Sequence, residues 1–143
     1  MTTLNPCHVA LAVNDLDQAR RFYSGKLKCT VGRSAASWMD FDFFGHQLVC
    51  HEVKGHKSSG FTNFVDGEDV PVPHFGVVFH LDEWENIIKE LQDLRVYFFL
   101  GPTKRFEGGA GEQATAFVLD PSGNILEFKG FRDMNQLFRK SHA

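Results

Sequence analysis

An α+β fold built from two tandem βαβββ units is predicted by one pattern that the chain carries twice. Pro73-His74-Phe75-Gly76-Val77-Val78-Phe79 is a strand-like run with a histidine at its mouth, and Cys7-His8-Val9-Ala10-Leu11-Ala12-Val13 is its twin. A capped amphipathic helix follows each at once, opening at Asn14-Asp15 in the first copy and at Asp82 in the second. Later in each copy, Asp42-Phe43-Phe44-Gly45-His46-Gln47-Leu48-Val49 matches Asp120-Pro121-Ser122-Gly123-Asn124-Ile125-Leu126-Glu127, with the glycines 78 residues apart and the histidines 66, a difference that one insertion accounts for. Two copies of one supersecondary unit leave this signature.

Composition fits one domain over residues 1–143, with units at about 5–54 and 72–131 joined by a connector at about 55–71. With 43% hydrophobic residues and 15 Phe the chain can bury a sizeable core, whereas half of it alone would be marginal. The two units are therefore expected to pack on each other. A formal charge of −3 and the lack of a Lys/Arg cluster argue against nucleic acid. No apolar run approaches the ~20 residues of a membrane span. Cys7, Cys29 and Cys50 form an odd set without metal-motif spacing, and Met1-Thr2-Thr3-Leu4-Asn5-Pro6 lacks the basic-then-apolar form of a leader. Free thiols in a cytoplasmic setting are the expectation.

Taken in order, Cys7 to Val13 is a strand and Asn14-Asp15 supplies the cap of a helix running to about Lys26. Its apolar face is Leu16, Ala19, Phe22, Tyr23 and Leu27. Strands follow at Cys29 to Ser34, Trp38 to Phe43 and Gln47 to Val53. Lys54 to Pro73, rich in Gly, Ser and Pro, reads as the connector. In the second unit Asp82 is the expected cap, Leu81, Trp84, Ile88, Leu91 and Leu94 the buried face, and Glu85 with Lys89 an i,i+4 pair. Strands are expected near Tyr97 to Leu100, Ala114 to Leu119 and Asn124 to Lys129, with a short helix after Arg132. The glycine-rich loop Arg105 to Glu112 lacks a Gly-Lys-Ser/Thr ending and a following helix, so it is not a phosphate-binding loop.

Two βαβββ units, a histidine in the first strand of each and Gly123-Asn124-Ile125-Leu126-Glu127-Phe128 in the last resemble the vicinal oxygen chelate superfamily. That superfamily includes glyoxalase I, extradiol dioxygenases, fosfomycin-resistance transferases and bleomycin-sequestering proteins, and the resemblance covers nearly the whole chain. It implies a curved mixed sheet with a U-shaped metal-binding cleft, and ligands that fall on His8, His74 and Glu127. Two imidazoles and one carboxylate leave open positions on an ion, which suits one divalent metal per chain, Fe(II) first and Mn(II), Zn(II) or Ni(II) as alternatives. Strand alternation puts Glu127 on a face with Ile125 and Lys129, His8 with Ala10 and Ala12, and His74 with Gly76 and Val78. For a single histidine, a strand-end residue bonded to backbone is the commoner case. Twin placement and a carboxylate inside an apolar strand favour ligands here.

The departures from the family pattern narrow the activity. In glyoxalase I a fourth ligand, usually Glu, falls where this chain has Val49. On the same face Gln47 and His51 are the nearest replacements, and His51 is open to three readings: ligand, general base or solvated strand-end histidine. Gln47, Arg105, Gln113, Lys129 and Trp38 are candidate substrate contacts, with surface positions as the plain alternative. Lys129 and Arg105 offer only one or two charges for a phosphonate. The resemblance then implies a metal-dependent enzyme acting on a small organic molecule by chelating vicinal oxygens, dioxygenase-like in the first place. Alternatives are a glyoxalase-like lyase or isomerase, a thiol transferase, or an antibiotic- or metabolite-sequestering protein binding through Trp38, Phe41 and Phe43. A homodimer is expected, since the cleft in this superfamily is often completed across a two-fold axis.

Overall fold

The computed structural model describes residues 4–140. Met1 to Thr3, the start of the stretch read as lacking a leader pattern, lie outside the described residues. Two compact units are present, the first running through Val72 and taking in Asp120–Asn124, the second comprising Pro73–Leu119 and the chain from Ile125.

In the first unit, strand β1 (His8–Val13) leads through the cap Asp15, whose carboxylate accepts from the Gln18 amide at 3.0 Å, into helix α1 (Leu16–Arg20). The expected single α-helix to Lys26 does not persist: Arg21–Lys26 winds as a π-helix, with the Leu27 amide bonding the Phe22 carbonyl at 3.0 Å. The adjacent aromatics Phe22 and Tyr23 are both buried on this segment, as the apolar face requires. Strands β2 (Thr30–Ser34), β3 (Trp38–Phe43) and β4 (His46–Glu52) complete a sheet of order β1-β4-β3-β2. The pairing of β1 with β4 is parallel, and every other pair in this sheet is antiparallel. Tyr23, fully buried, donates its hydroxyl to Asp120 Oδ2 at 2.9 Å, and the Asn124 amide reaches the Ala12 carbonyl at 2.8 Å. The turn Asp120–Asn124 is thereby sewn onto this unit. The connector is more ordered than its composition suggests, for it contains a hairpin of β5 (Thr62–Val65) and β6 (Glu68–Pro71). Asp66-Gly67, both at positive φ, turns it, and an Asp-Gly pair between short strands is a recognisable hairpin signal.

In the second unit, β7 (Phe75–His80) runs straight into helix α2 (Leu81–Asp93). Asp82 is not the cap: His80 holds that position without a side-chain bond, and Asp82 and Glu83 lie in the first turn, where negative charge meets the helix dipole. Leu81, Trp84, Ile88 and Leu91 are buried as expected, whereas Leu94 lies past the helix end and is exposed. The Glu85–Lys89 pair does not form. Glu85 bonds Lys104 of the neighbouring strand at 2.6 Å, and Lys89 bonds Asp93 at 3.2 Å. Strands β8 (Phe98–Arg105), β9 (Gln113–Leu119) and β10 (Ile125–Phe131) give the order β7-β10-β9-β8, the same as in the first unit, again with first and last strands parallel. A short 3-10 turn, Met134–Gln136, follows. Leu126, Phe128 and Gly130 face the helix, with the Trp84 indole donating to the Phe128 carbonyl at 2.8 Å. The alternate residues Ile125, Glu127 and Lys129 are only half-buried and occupy the opposite face.

Two measurements test this packing. Burial pushes the thiols of Cys29 and Cys50 up to about 12, while Cys7 is exposed. At pH 8 such thiols are ionised to roughly one part in ten thousand, so a disulfide-exchange reagent should modify one thiol per native chain quickly and all three only after unfolding. Three fast equivalents in the native protein would contradict the burial. The second test concerns Gly76, where a Cβ would fall 1.6 Å from the Glu127 carbonyl oxygen. Gly76→Ala is expected to destabilise by about 3 kcal/mol, the upper end of overpacking costs, in urea unfolding. An unchanged midpoint would show that β7 and β10 do not approach so closely.

Candidate functional site

The register of the two parallel pairs places equivalent residues. Ala10 pairs with Val49 in the first unit and Gly76 with Glu127 in the second, and a histidine precedes each first-strand residue by two positions, His8 and His74. Val49 is thus the first-unit counterpart of Glu127, and it is buried. A carboxylate is present in one repeat and absent in the other.

On the second unit's sheet, the antiparallel pairs Glu127–Phe117, Lys129–Thr115 and Phe131–Gln113 extend to β8 through Thr103–Thr115 and Arg105–Gln113. Paired residues share a face. His74 Nε2 lies 2.9 Å from Glu127 Oε2, the Thr115 hydroxyl donates to Glu127 Oε1 at 2.8 Å, and the His74 ring meets Phe117 edge-on at 5.1 Å. The carboxylate has one oxygen held by Thr115 and the other turned to the imidazole. Lys129 lies over the Phe131 ring at 5.7 Å, half-buried, while Arg105 is exposed at the end of β8 and Gln113 half-buried beside it. Beyond them the glycine-rich loop is clasped: Glu112 accepts from Arg132 Nε at 2.9 Å and from the Gly108 amide at 3.1 Å. Those donors hold the Glu112 carboxyl below its ordinary value, Arg132 foremost. So His74, Glu127, Lys129, Arg105 and Gln113, read from sequence as ligands and substrate contacts, stand on one face.

On the first unit's sheet, His8 Nδ1 is 2.8 Å from Gln47 Oε1, and Gln47 Nε2 donates to Asp40 Oδ2 at 3.2 Å. Arg33 Nε stands 3.9 Å from the same Asp40 oxygen, and its guanidinium lies over the Trp38 ring at 5.8 Å. Asp40 pairs with Val49 across β3 and β4, and Trp38 with His51, which is exposed. Trp38 is half-buried on this face, whereas Phe41 and Phe43 belong to the buried core with Tyr23, at ring separations of 5.4 and 6.4 Å. Two participants went unmarked in the sequence, Asp40 and Thr115. Asp40 carried the signal that had marked Glu127, a carboxylate inside an apolar strand, and Thr115 alternates with Gln113.

The donor chemistry fits a divalent ion at His74 and Glu127. The two stand at hydrogen-bonding distance, and a nitrogen beside a carboxylate oxygen suits the borderline metals. His8 belongs to the first unit's face. Among the described residues no group of three or more His, Cys, Asp or Glu side chains is gathered closely enough to hold a metal, and no helix is long and apolar enough to cross a membrane.

Comparison with known proteins agrees with the repeat topology. The family profile described as Glyoxalase/Bleomycin resistance protein/Dioxygenase superfamily matches residues 6–128. A solved glyoxalase/bleomycin resistance protein/dioxygenase from Alicyclobacillus acidocaldarius is 34% identical, with a TM-score of 0.74 over 94% of this chain and 96% of that one. A glyoxalase/dioxygenase from Nostoc punctiforme is 16% identical, with a TM-score of 0.64 over 92% and 97%. The fosfomycin resistance protein FosX from Listeria monocytogenes is 12% identical, with a TM-score of 0.66 over 94% and 98%. These last two show likeness of fold alone. No curated protein matches. With the profile covering most of its length and both units repeating one strand order, the chain belongs to the glyoxalase/bleomycin resistance protein/dioxygenase superfamily.

Proposed function

We propose that the chain is a divalent-metal-dependent enzyme acting on a small organic molecule with two adjacent oxygen donors, by dioxygenase-type chemistry in the first place. The observation that carries this reading is the His74–Glu127 pair, 2.9 Å apart with Thr115 on the far carboxylate oxygen. His74 and Glu127 would hold the ion, and the other candidate donor, His8, stands on the first unit's sheet beside Gln47. When bound, such an ion lowers the pKa of a chelated substrate hydroxyl and, as Fe(II), supports electron transfer to dioxygen.

The chain's own residues supply binding and proton handling. Thr115 keeps the Glu127 carboxylate oriented by donating to it. Lys129 and Arg105, on the Glu127 face, offer positive charge to an anionic substrate, and Gln113 between them offers an amide. His51, exposed near the end of β4, is the candidate to carry a proton between substrate and solvent. Val49 presents an apolar wall where a carboxylate base would stand, which disfavours proton abstraction and return, the step a glyoxalase-like isomerase needs. Glyoxalase-like chemistry is the second reading because Asp40 does put a carboxylate opposite Val49, although its Oδ2 is engaged by Gln47.

Protein purified without chelators, then loaded anaerobically, is expected to bind about one Fe(II) or Mn(II) per chain. Alanine at His8, His74 or Glu127 should weaken binding by more than about 100-fold, since each is a large share of a three-donor site. Calorimetric binding that survives all three substitutions would remove the metal from this reading. Val49→Glu should tighten binding of the resting ion and suppress oxygen uptake, its carboxylate taking a position the substrate needs. Oxygen consumption on catechol-like compounds and isomerisation of a hemithioacetal, measured side by side on both proteins, decide the ordering. Robust isomerisation by the wild type without oxygen uptake would reverse it.

A further inference from the structure

We propose that Gln47, held by Asp40, is a positioning residue that fixes His8 as the Nδ1–H tautomer and so leaves the lone pair on Nε2; this rests on the reading of His8 as a metal donor. Asp40 is 8% exposed, the Arg33 guanidinium stands 3.9 Å from the Oδ2 that Gln47 faces, and a carboxylate oxygen beside a cation accepts hydrogen bonds. The end of the Gln47 amide that faces it, at 3.2 Å, must therefore be the NH2 group. That leaves the amide oxygen directed at His8 Nδ1, 2.8 Å away, and an oxygen facing a ring nitrogen at that distance requires the nitrogen to carry the proton. A neutral imidazole has one N–H, so the other nitrogen keeps the electron pair a metal takes. The reading direction runs from a buried charge, through one amide, to a ring that is itself exposed.

The two repeats solve the same problem differently. In the second unit the carboxylate lies in the last strand, as Glu127, and meets His74 directly. In the first unit the last strand offers Val49, and the carboxylate has moved one strand across, to Asp40, reaching its histidine only through Gln47. A carboxylate behind a ligating histidine normally fixes the ring's tautomer and orientation, and here an amide is interposed. Gln47, first considered a substrate contact, has both ends of its amide engaged in this chain of bonds.

The test reads the apo protein first. Two-dimensional 15N NMR of the histidine side chains, with His8 assigned by the loss of its signals in His8→Gln, should find Nδ1 protonated and Nε2 bare at pH 8. Asp40→Asn lets the Gln47 amide turn over, and Gln47→Leu removes it. Both should move His8 toward the Nε2–H form and weaken metal binding about 10- to 100-fold at unchanged stoichiometry. Gln47 is exposed, so its variant should fold even where Asp40→Asn is destabilised. A wild-type His8 protonated on Nε2, or a tautomer and affinity unmoved in Gln47→Leu, overturns the proposal. A tautomer that shifts as expected while no form binds metal upholds the relay and overturns the metal reading beneath it.

Discussion

The parallel pairing between the first and last strand of each unit is the constraint on which the rest depends. Neighbouring strands lie about 4.8 Å apart, so whatever side chains the register sets side by side are obliged to interact. In the second unit that register brings His74 within 2.9 Å of Glu127, and in the first it brings His8 within 2.8 Å of Gln47. Parallel neighbours need a crossover between them, and α1 or α2 supplies the start of it while covering one face of its sheet. The apolar residues go to the helix face. The polar set is left on the other.

Gly76 shows how tightly this is drawn. With the place of its missing Cβ only 1.6 Å from the Glu127 carbonyl, β7 can lie against β10 only because position 76 has no side chain. The equivalent residue in the first unit is Ala10, so the close approach belongs to the unit that carries the histidine–carboxylate pair. Gly130 serves the opposite face, where a Cβ would fall 2.8 Å from Trp84. Two glycines in adjacent strands thus let backbone approach backbone on one side and helix approach sheet on the other, fixing the Glu127 strand between them.

Duplication has preserved the backbone of the two units and let their chemistry diverge. Strand order is identical, yet Val49 stands for Glu127 and Asp40 for Phe117. The two sheet faces therefore differ by one strand's shift of a carboxylate, with no change of fold. This is why membership of the superfamily leaves the reaction open while these positions bear on it.

The repeat, the order of helices and strands along the chain and most of the buried residues were legible in the sequence, because alternation and helical periodicity are local properties that burial on one side imposes directly. So was the correspondence of Val49 to Glu127, which follows from aligning the repeats. Other features depended on neighbours distant in sequence. Glu85 pairs with Lys104 and not Lys89 because β8 presents that lysine to the helix, Tyr23 gives its hydroxyl to Asp120 far along the chain, and His80 caps α2 where β7 ends. Asp40 was present in the sequence as one acidic residue among several. Only the pairing of β3 with β4 set it behind Gln47, and its burial strengthens its demand for a donor, which orients the amide in front of His8.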